Sequence, residues 1–145
     1  MDRRLRTEVL IKDKSGLAAR LAAEIRTKYD SEEIQPPREG LVMIKMREQA
    51  RNSLFYLGEV LVTEAKARIN GKPGLGIVRG NDDELARDLA IIDAAWNAGL
   101  PEIPEWTAAL KDAAEKIKDL ENIENGKIMR TKVNFASMQE EDYIK

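Results

Sequence analysis

The chain has no cysteine and no histidine among its 145 residues. Without cysteine there is no disulfide framework, no thiolate nucleophile and no thiolate metal site. Without histidine the side chain that titrates nearest neutrality is missing. The usual base for activating a Ser or Thr nucleophile goes with it. Aromatic residues make up only 5%, so each one is a candidate anchor. The net charge of −2 lacks the basic excess of a general nucleic-acid binder. No apolar run is long enough for a bilayer. The basic start, Asp2-Arg3-Arg4-Leu5-Arg6, lacks the apolar region of a signal peptide. The expectation is a cytoplasmic protein with no membrane and no nucleic-acid partner.

What is present reads as one globular domain over residues 1–145, with enough apolar content for one core. Asp2 to Lys12 is a short helical candidate. Ser15 can cap a second helix, from Gly16 to about Tyr29, with Leu17, Leu21 and Ile25 in a stripe. Pro36-Pro37 marks an extended connection. Leu41 to Arg47 reads as a strand, and its Leu41-Val42-Met43-Ile44 start predicts burial on both faces. A polar turn follows, Glu48 to Ser53. Further strands are expected at Leu54–Gly58, Val60–Ile69 and Leu75–Val78. Gly58-Glu59 suggests a bulge or bend, and Asn70-Gly71 a tight turn. In the Val60–Ile69 run, Leu61, Ala65, Ala67 and Ile69 share one parity and Glu64, Lys66 and Arg68 the other, so one face is buried and one solvated.

Asn81 can cap a helix from Asp82 to about Asn97, in which Leu85, Leu89, Ile92 and Trp96 form one face. Gly99 and Pro101 stop it. Trp106, Leu110, Ala113, Ile117 and Leu120 repeat the spacing in a last helix that Asn125-Gly126 is expected to end. Thr131 to Phe135 is expected to close the fold as a strand. The predicted class is α+β: an antiparallel sheet of about four strands, packed by N-terminal, central and C-terminal helices, plus a terminal strand.

Chemistry-bearing motifs are few. Gly74-Leu75-Gly76-Ile77-Val78-Arg79-Gly80 precedes a helix, but its spacing matches neither a dinucleotide nor a Walker loop. Asp82, Asp83 and Glu84 would also repel an anion there. A hairpin return is the better reading. Glu59, Glu64, Asp82, Asp83, Asp88 and Asp93 are potential oxygen ligands, although solvated surface is commoner for such residues. Asp93 stands out because it follows Ile91-Ile92 inside a helix. Arg47, Arg51, Arg68, Arg79, Arg130 and Lys132 could converge on phosphates, or could be scattered surface charge. Trp96 and Trp106 lie on apolar stripes and read as core or interface anchors.

Certain segments, taken in order, resemble the PhnG family, the small G subunits of the carbon–phosphorus lyase system. They are Gly40-Leu41-Val42-Met43, Phe55 to Val60, Thr63, Gly76 to Gly80, Asp82, Ala86, Asp93-Ala94, and Thr131, Val133, Phe135 and Met138. The likeness spans roughly Gly40 to Met138. Three positions depart from the family pattern. Glu64 stands where an Arg is usual, Asn81 where an Arg precedes the helix, and Leu85 where a His is common.

The resemblance implies an accessory role within a complex rather than a solo activity. PhnG-like subunits associate with H-, I- and J-type subunits, most directly the I-type. With H-, I- and L-type components they support displacement of adenine from ATP by a phosphonate. The product is a ribose 1-phosphonate 5-triphosphate, so the complex is a transferase, an α-D-ribose 1-methylphosphonate 5-triphosphate synthase. A separate radical iron–sulfur subunit then breaks the C–P bond. ATP and phosphonate are substrates of the complex, and no cofactor or metal is expected in this chain. The interface candidates are Phe55, Tyr56, Gly58, Glu59, Arg130, Lys132, Val133 and Phe135. Thr131 to Met138 is expected to add to a sheet edge, its own or a partner's; if it docks on a partner, the isolated chain is expected to self-associate. Two other readings compete: a small carboxylate- or metal-dependent enzyme using Glu59 with Asp93, and a purely structural interaction module.

Overall fold

The structure is a computed structural model that describes the backbone of residues 1–144 and the side chains of residues 1–127. Four helices and one antiparallel sheet follow in the order α1 (Arg3–Lys12), α2 (Leu17–Lys28), β1 (Ser31–Arg47), β2 (Leu54–Ile69), β3 (Lys72–Arg79), α3 (Asp83–Asn97) and α4 (Ile103–Ile144). The α+β class is as expected. The sheet has three strands in the order β1-β2-β3.

Two expected boundaries vanish because long strands absorb them. β1 begins ten residues before Leu41 and runs through Pro36-Pro37. It is an edge strand, where a missing N–H costs no ladder bond. Its register slips between Glu33 and Gln35, and again between Gln35 and Arg38. The strands expected at Leu54–Gly58 and Val60–Ile69 are one strand, β2. Gly58 sits where the register shifts opposite Ile44 and Lys45. Its φ of 149° is one that side-chain-bearing residues rarely adopt. The bulge bends the strand without ending it.

The core lies between one face of the sheet and the helices. Ala65, Ala67 and Ile69 on β2 and Val78 on β3 face Leu21, Ala22 and Ile25 of α2 and Ala86, Ala90 and Ala94 of α3, all buried. Alanine recurs every fourth residue on α3, and Gly74 and Gly76 stand opposite on β3. A Cβ at Gly74 would fall on the backbone of Ala90 and Ala94, and one at Gly76 on that of Ala86 and Ala90. The glycines let strand and helix backbones touch, which settles them as packing residues rather than a phosphate cradle.

Local capping differs from expectation in detail. The N-cap of α2 is Gly16, not Ser15. Asp13 instead reaches forward, and its carboxylate accepts from the Leu17 and Ser15 backbone N–H groups. The N-cap of α3 is Asp82, not Asn81, and its carboxylate accepts from the Leu85 N–H at 3.1 Å. Buried Thr63 anchors this end. Its hydroxyl donates to the Gly80 carbonyl at 2.7 Å and accepts from the Asp82 N–H at 3.3 Å.

The largest correction is at the C-terminal end. α4 does not stop at Asn125-Gly126, and the run expected as a strand, 131–135, falls within its span. One helical glycine costs only about 1 kcal/mol, too little to end a helix otherwise rich in Glu, Lys, Ala and Leu. A strand-type apolar pair, Val133 and Phe135, is therefore overridden by its neighbours. The edge-pairing expected for Thr131 to Met138 fails with it. The side chains of Arg130, Lys132, Val133 and Phe135 lie outside the described residues.

Candidate functional site

Two places collect the residues that sequence reasoning singled out, and they differ sharply in exposure. The first is buried. Asp93, 5% exposed, is held by three donors. Arg6 donates to Oδ1 at 2.7 Å, Arg3 to Oδ2 at 2.7 Å, and the Leu75 backbone N–H to Oδ2 at 2.9 Å. Arg6 is itself buried, and its guanidinium lies 4.5 Å from the Trp96 ring centroid. Burial pulls the Arg6 pKa down, and the Asp93 charge opposes that shift. Trp96 in turn packs at a tilt on Trp106, 6.3 Å between ring centroids. Asp93 thus locks α1 to α3 and β3. With its oxygens committed to two guanidiniums and an amide, it has little to offer a substrate or a metal.

The second place is a projecting arm. Beyond Arg79, which pairs with Val62, β3 no longer covers β2. The β1–β2 hairpin continues alone through Gly40↔Val62, Leu41↔Leu61 and Met43↔Glu59 to Arg47↔Leu54. Residues opposite one another in an antiparallel pair share a face. One face therefore carries Leu41, Met43, Leu54, Tyr56 and Leu61, continuing the side that lower down packs on the helices. The other carries Val42, Ile44, Met46, Phe55 and Val60. Leu41, Met43, Met46, Leu54 and Leu57 are each more than half exposed. The expected burial of Leu41 to Ile44 is thus overturned: the run is apolar on both faces, and among the described residues no helix covers it.

Of the interface candidates, Phe55, Tyr56, Gly58 and Glu59 all sit on this arm. Phe55 and Tyr56 are exposed, at 45% and 48%. The Tyr56 hydroxyl donates to the Glu59 carboxylate at 3.0 Å. Loss of hydration and then that carboxylate push the Tyr56 pKa up. Glu59 is therefore engaged on the exposed arm while Asp93 is sealed in the body, and the structure does not bring the pair together. Among the described residues, no group of three or more Asp or Glu side chains is arranged to hold a metal.

Among the described residues the cations do not converge either. Arg47 and Arg51 are at the arm's tip, where Arg47 donates to Asn52 at 3.3 Å. Arg68 lies at the opposite end of β2, bonded to Glu32. The fourteen residue steps along β2 from Leu54, the partner of Arg47, to Arg68 span roughly 45 Å. A cleft of about 540 Å³ between α2, α3 and the sheet is lined by charges of both signs. Those charges pair across it, Arg26 with Asp88 at 2.9 Å and Arg87 with Glu33 at 3.1 Å. Asp88 is buried, and loss of hydration raises its pKa against the pull of Arg26. This is not the uniformly positive pocket a triphosphate would need.

The three departures have structural places. Glu64 is half-buried on β2, 3.7 Å from Lys66. Asn81 precedes the α3 cap, and Leu85 packs against the core.

A sealed α+β body with an unsealed apolar arm is the geometry of a component that docks, rather than of a pocket lined by reactive groups. The sequence comparisons agree with that class. Residues 1–140 match the family described as "Phosphonate metabolism protein PhnG", and the chain belongs to that family. A relative from Rhizobium meliloti (strain 1021) is 33% identical over 118 residues, covering 75% of this chain and 72% of the relative. That relative is named "Alpha-D-ribose 1-methylphosphonate 5-triphosphate synthase subunit PhnG".

Among the described residues, no helix is long and apolar enough to cross a membrane. The arm as a whole was missed by sequence reasoning. The signal available was the spacing of β3: a partner strand of eight residues cannot cover one of sixteen.

Proposed function

We propose that this chain is an accessory subunit of a phosphonate-processing complex of the carbon–phosphorus lyase type. In this reading it supports, with H-, I- and L-type components, transfer of ribose triphosphate from ATP to a phosphonate with loss of adenine. Its contribution is assembly, and the arm is the element that docks, most directly on an I-type subunit. H- and J-type subunits complete the core.

One observation supports this above the others. The longest stretch of exposed apolar surface among the described residues, Leu41 to Met46 with Leu54 to Leu57, is held in strand pairing instead of collapsing onto the body. Exposed apolar surface of this extent marks an interaction site. Because both faces are apolar, a partner that covered only one would leave the other wet. The arm therefore inserts between surfaces. The carboxylate-enzyme reading gains no support, since Glu59 and Asp93 are separately engaged.

The test is an adenine-release assay with ATP and methylphosphonate. The chain alone should release none, and the reconstituted H-, I- and L-type components should need it for full rate. A variant in which 41–60 is replaced by a short turn should fold yet fail to co-purify with the I-type subunit. Adenine release by the chain alone, scaling with its concentration, would overturn the accessory role. Undiminished co-purification of the arm-less variant would overturn the docking role.

A further inference from the structure

The outer edge of β1 is unpaired along its length, and its two halves are treated very differently. The lower half carries Pro36-Pro37 and two register irregularities. Prolines and bulges are the devices that stop a sheet edge from recruiting another strand. The upper half, 38–46, has neither on its own strand, and it holds Leu41-Val42-Met43-Ile44 exposed. An edge that is guarded where it lies beside the body and open where it projects is shaped to accept a strand there and nowhere else.

We propose that this open edge pairs with the same edge of a second copy, antiparallel about a two-fold axis through Val42. A second copy is the partner whose complementarity the chain itself displays. Centring on Val42 sets Leu41 against Met43 and Gly40 against Ile44. It sets Glu39 against Lys45 twice, once on each side of the axis. Neither the Glu39 nor the Lys45 side chain has an ion-pair or hydrogen-bond partner among the described residues. The next outward positions are Arg38 and Met46, so no like charges oppose. The paired stretch is then bounded by Pro37 on one side and by the end of β1 at Arg47 on the other.

Moving the axis to Met43 is worse on three counts. It places Leu41 against Lys45. It also needs Glu48, which lies outside β1 and is held by Ser53. And it needs Arg47, which is held by Asn52. Nine residues from each copy give a ribbon of about 30 Å. The ladder satisfies backbone groups that are otherwise left to water. Such an isologous contact closes at two copies and does not propagate. The pairing uses only β1's edge, so it stands or falls independently of the phosphonate reading.

Sedimentation velocity on the purified full chain tests it, from low to high micromolar concentration. The expected result is a concentration-dependent monomer–dimer equilibrium. Hydrogen exchange should show 40–46 gaining protection as the dimer fills. Lys45→Glu should raise the dimer Kd by about tenfold or more, because it turns two attractive cross-strand pairs repulsive. Glu39→Lys should do the same. The double variant Glu39→Lys with Lys45→Glu recreates both pairs in reverse and should restore dimerisation.

All four proteins keep the body, and circular dichroism checks that they fold. A chain that stays monomeric throughout overturns the proposal. So does a dimer indifferent to the single changes, or one the double change fails to rescue. If 40–46 become protected only on co-expression with H-, I- and J-type subunits, the edge belongs to a different subunit and the proposal is wrong.

Discussion

The two halves of the β1–β2 hairpin are made of similar residues and live in different worlds. Below Thr63, β2 contributes Ala65, Ala67 and Ile69 to a core closed by α2 and α3. Above it, Leu61, Leu57, Phe55 and Leu54 stand in solvent. Side-chain chemistry does not separate them, since the upper half is the more apolar. What separates them is the length of the covering elements. β3 ends at Arg79 and α3 spans only Asp83–Asn97, so neither reaches the arm. Burial here is decided by geometry, and surplus apolar length becomes surface available for assembly.

The sharpest way to break this contrast is to open the sealed half. Asp93→Ala leaves Arg6 buried without its counter-charge. Removing one partner of a buried pair typically costs ~3–5 kcal/mol. Urea denaturation should show a loss of that size, and a loss under ~1 kcal/mol would mean that Arg6 escapes to solvent. Gly76→Ala is expected to cost less, about 1–3 kcal/mol as overpacking against the α3 backbone. Its diagnostic is a loss of Trp96 and Trp106 environment in near-ultraviolet circular dichroism. An unperturbed spectrum with full stability would show that strand and helix have room to part.

A smaller effect comes from acid. The Trp106 indole N–H donates to Glu24 at 3.1 Å, and Lys28 adds to it, so the Glu24 pKa is held below its ordinary value. A depressed carboxyl contributes stability above its unfolded-state pKa and loses it as pH falls through the folded one. Stability should therefore decline below the ordinary carboxylate range, and Glu24→Gln should flatten that decline. Identical pH profiles for the two proteins would remove Glu24 from the account.

The smallest stability effect should come from the arm. Phe55→Ser and Val42→Ser should each stay within about ±0.5 kcal/mol, as surface changes do. The same substitutions should weaken capture by partner subunits. A large loss of stability would mean that the arm is packed in the free chain.

Much of the body was legible in the sequence for physical reasons. The α3 stripe of Leu85, Leu89, Ile92 and Trp96, the Asn70-Gly71 turn and the solvated parity of Glu64, Lys66 and Arg68 all follow from period and turn chemistry. The oddity of Asp93 was visible, since a carboxylate inside an apolar helix face needs a partner. Which partner was not visible, because Arg3 and Arg6 lie about ninety residues away in sequence. The arm was misread for a related reason. An apolar run announces burial but not in what, and Leu41 to Ile44 carries the same letters whether a helix or a second chain covers it. The C-terminal strand failed because Val133 and Phe135 were weighed locally, while a helix forms cooperatively over many residues.

The Arg6–Asp93 lock also has a consequence for biosynthesis. α1 precedes the elements that its long-range ion pairs reach: Arg3 and Arg6 wait for Asp93 on α3, and Lys12 waits for Glu121, which it meets at 2.8 Å. These ion pairs of α1 can therefore close only late in synthesis. Until α3 emerges, Arg3 and Arg6 keep the nascent amino-terminal segment charged and hydrated. During that interval the hairpin between them already has all its residues. A cell making this chain therefore carries a fully synthesised apolar arm before the body that supports it can close, and that surface stands exposed during the interval.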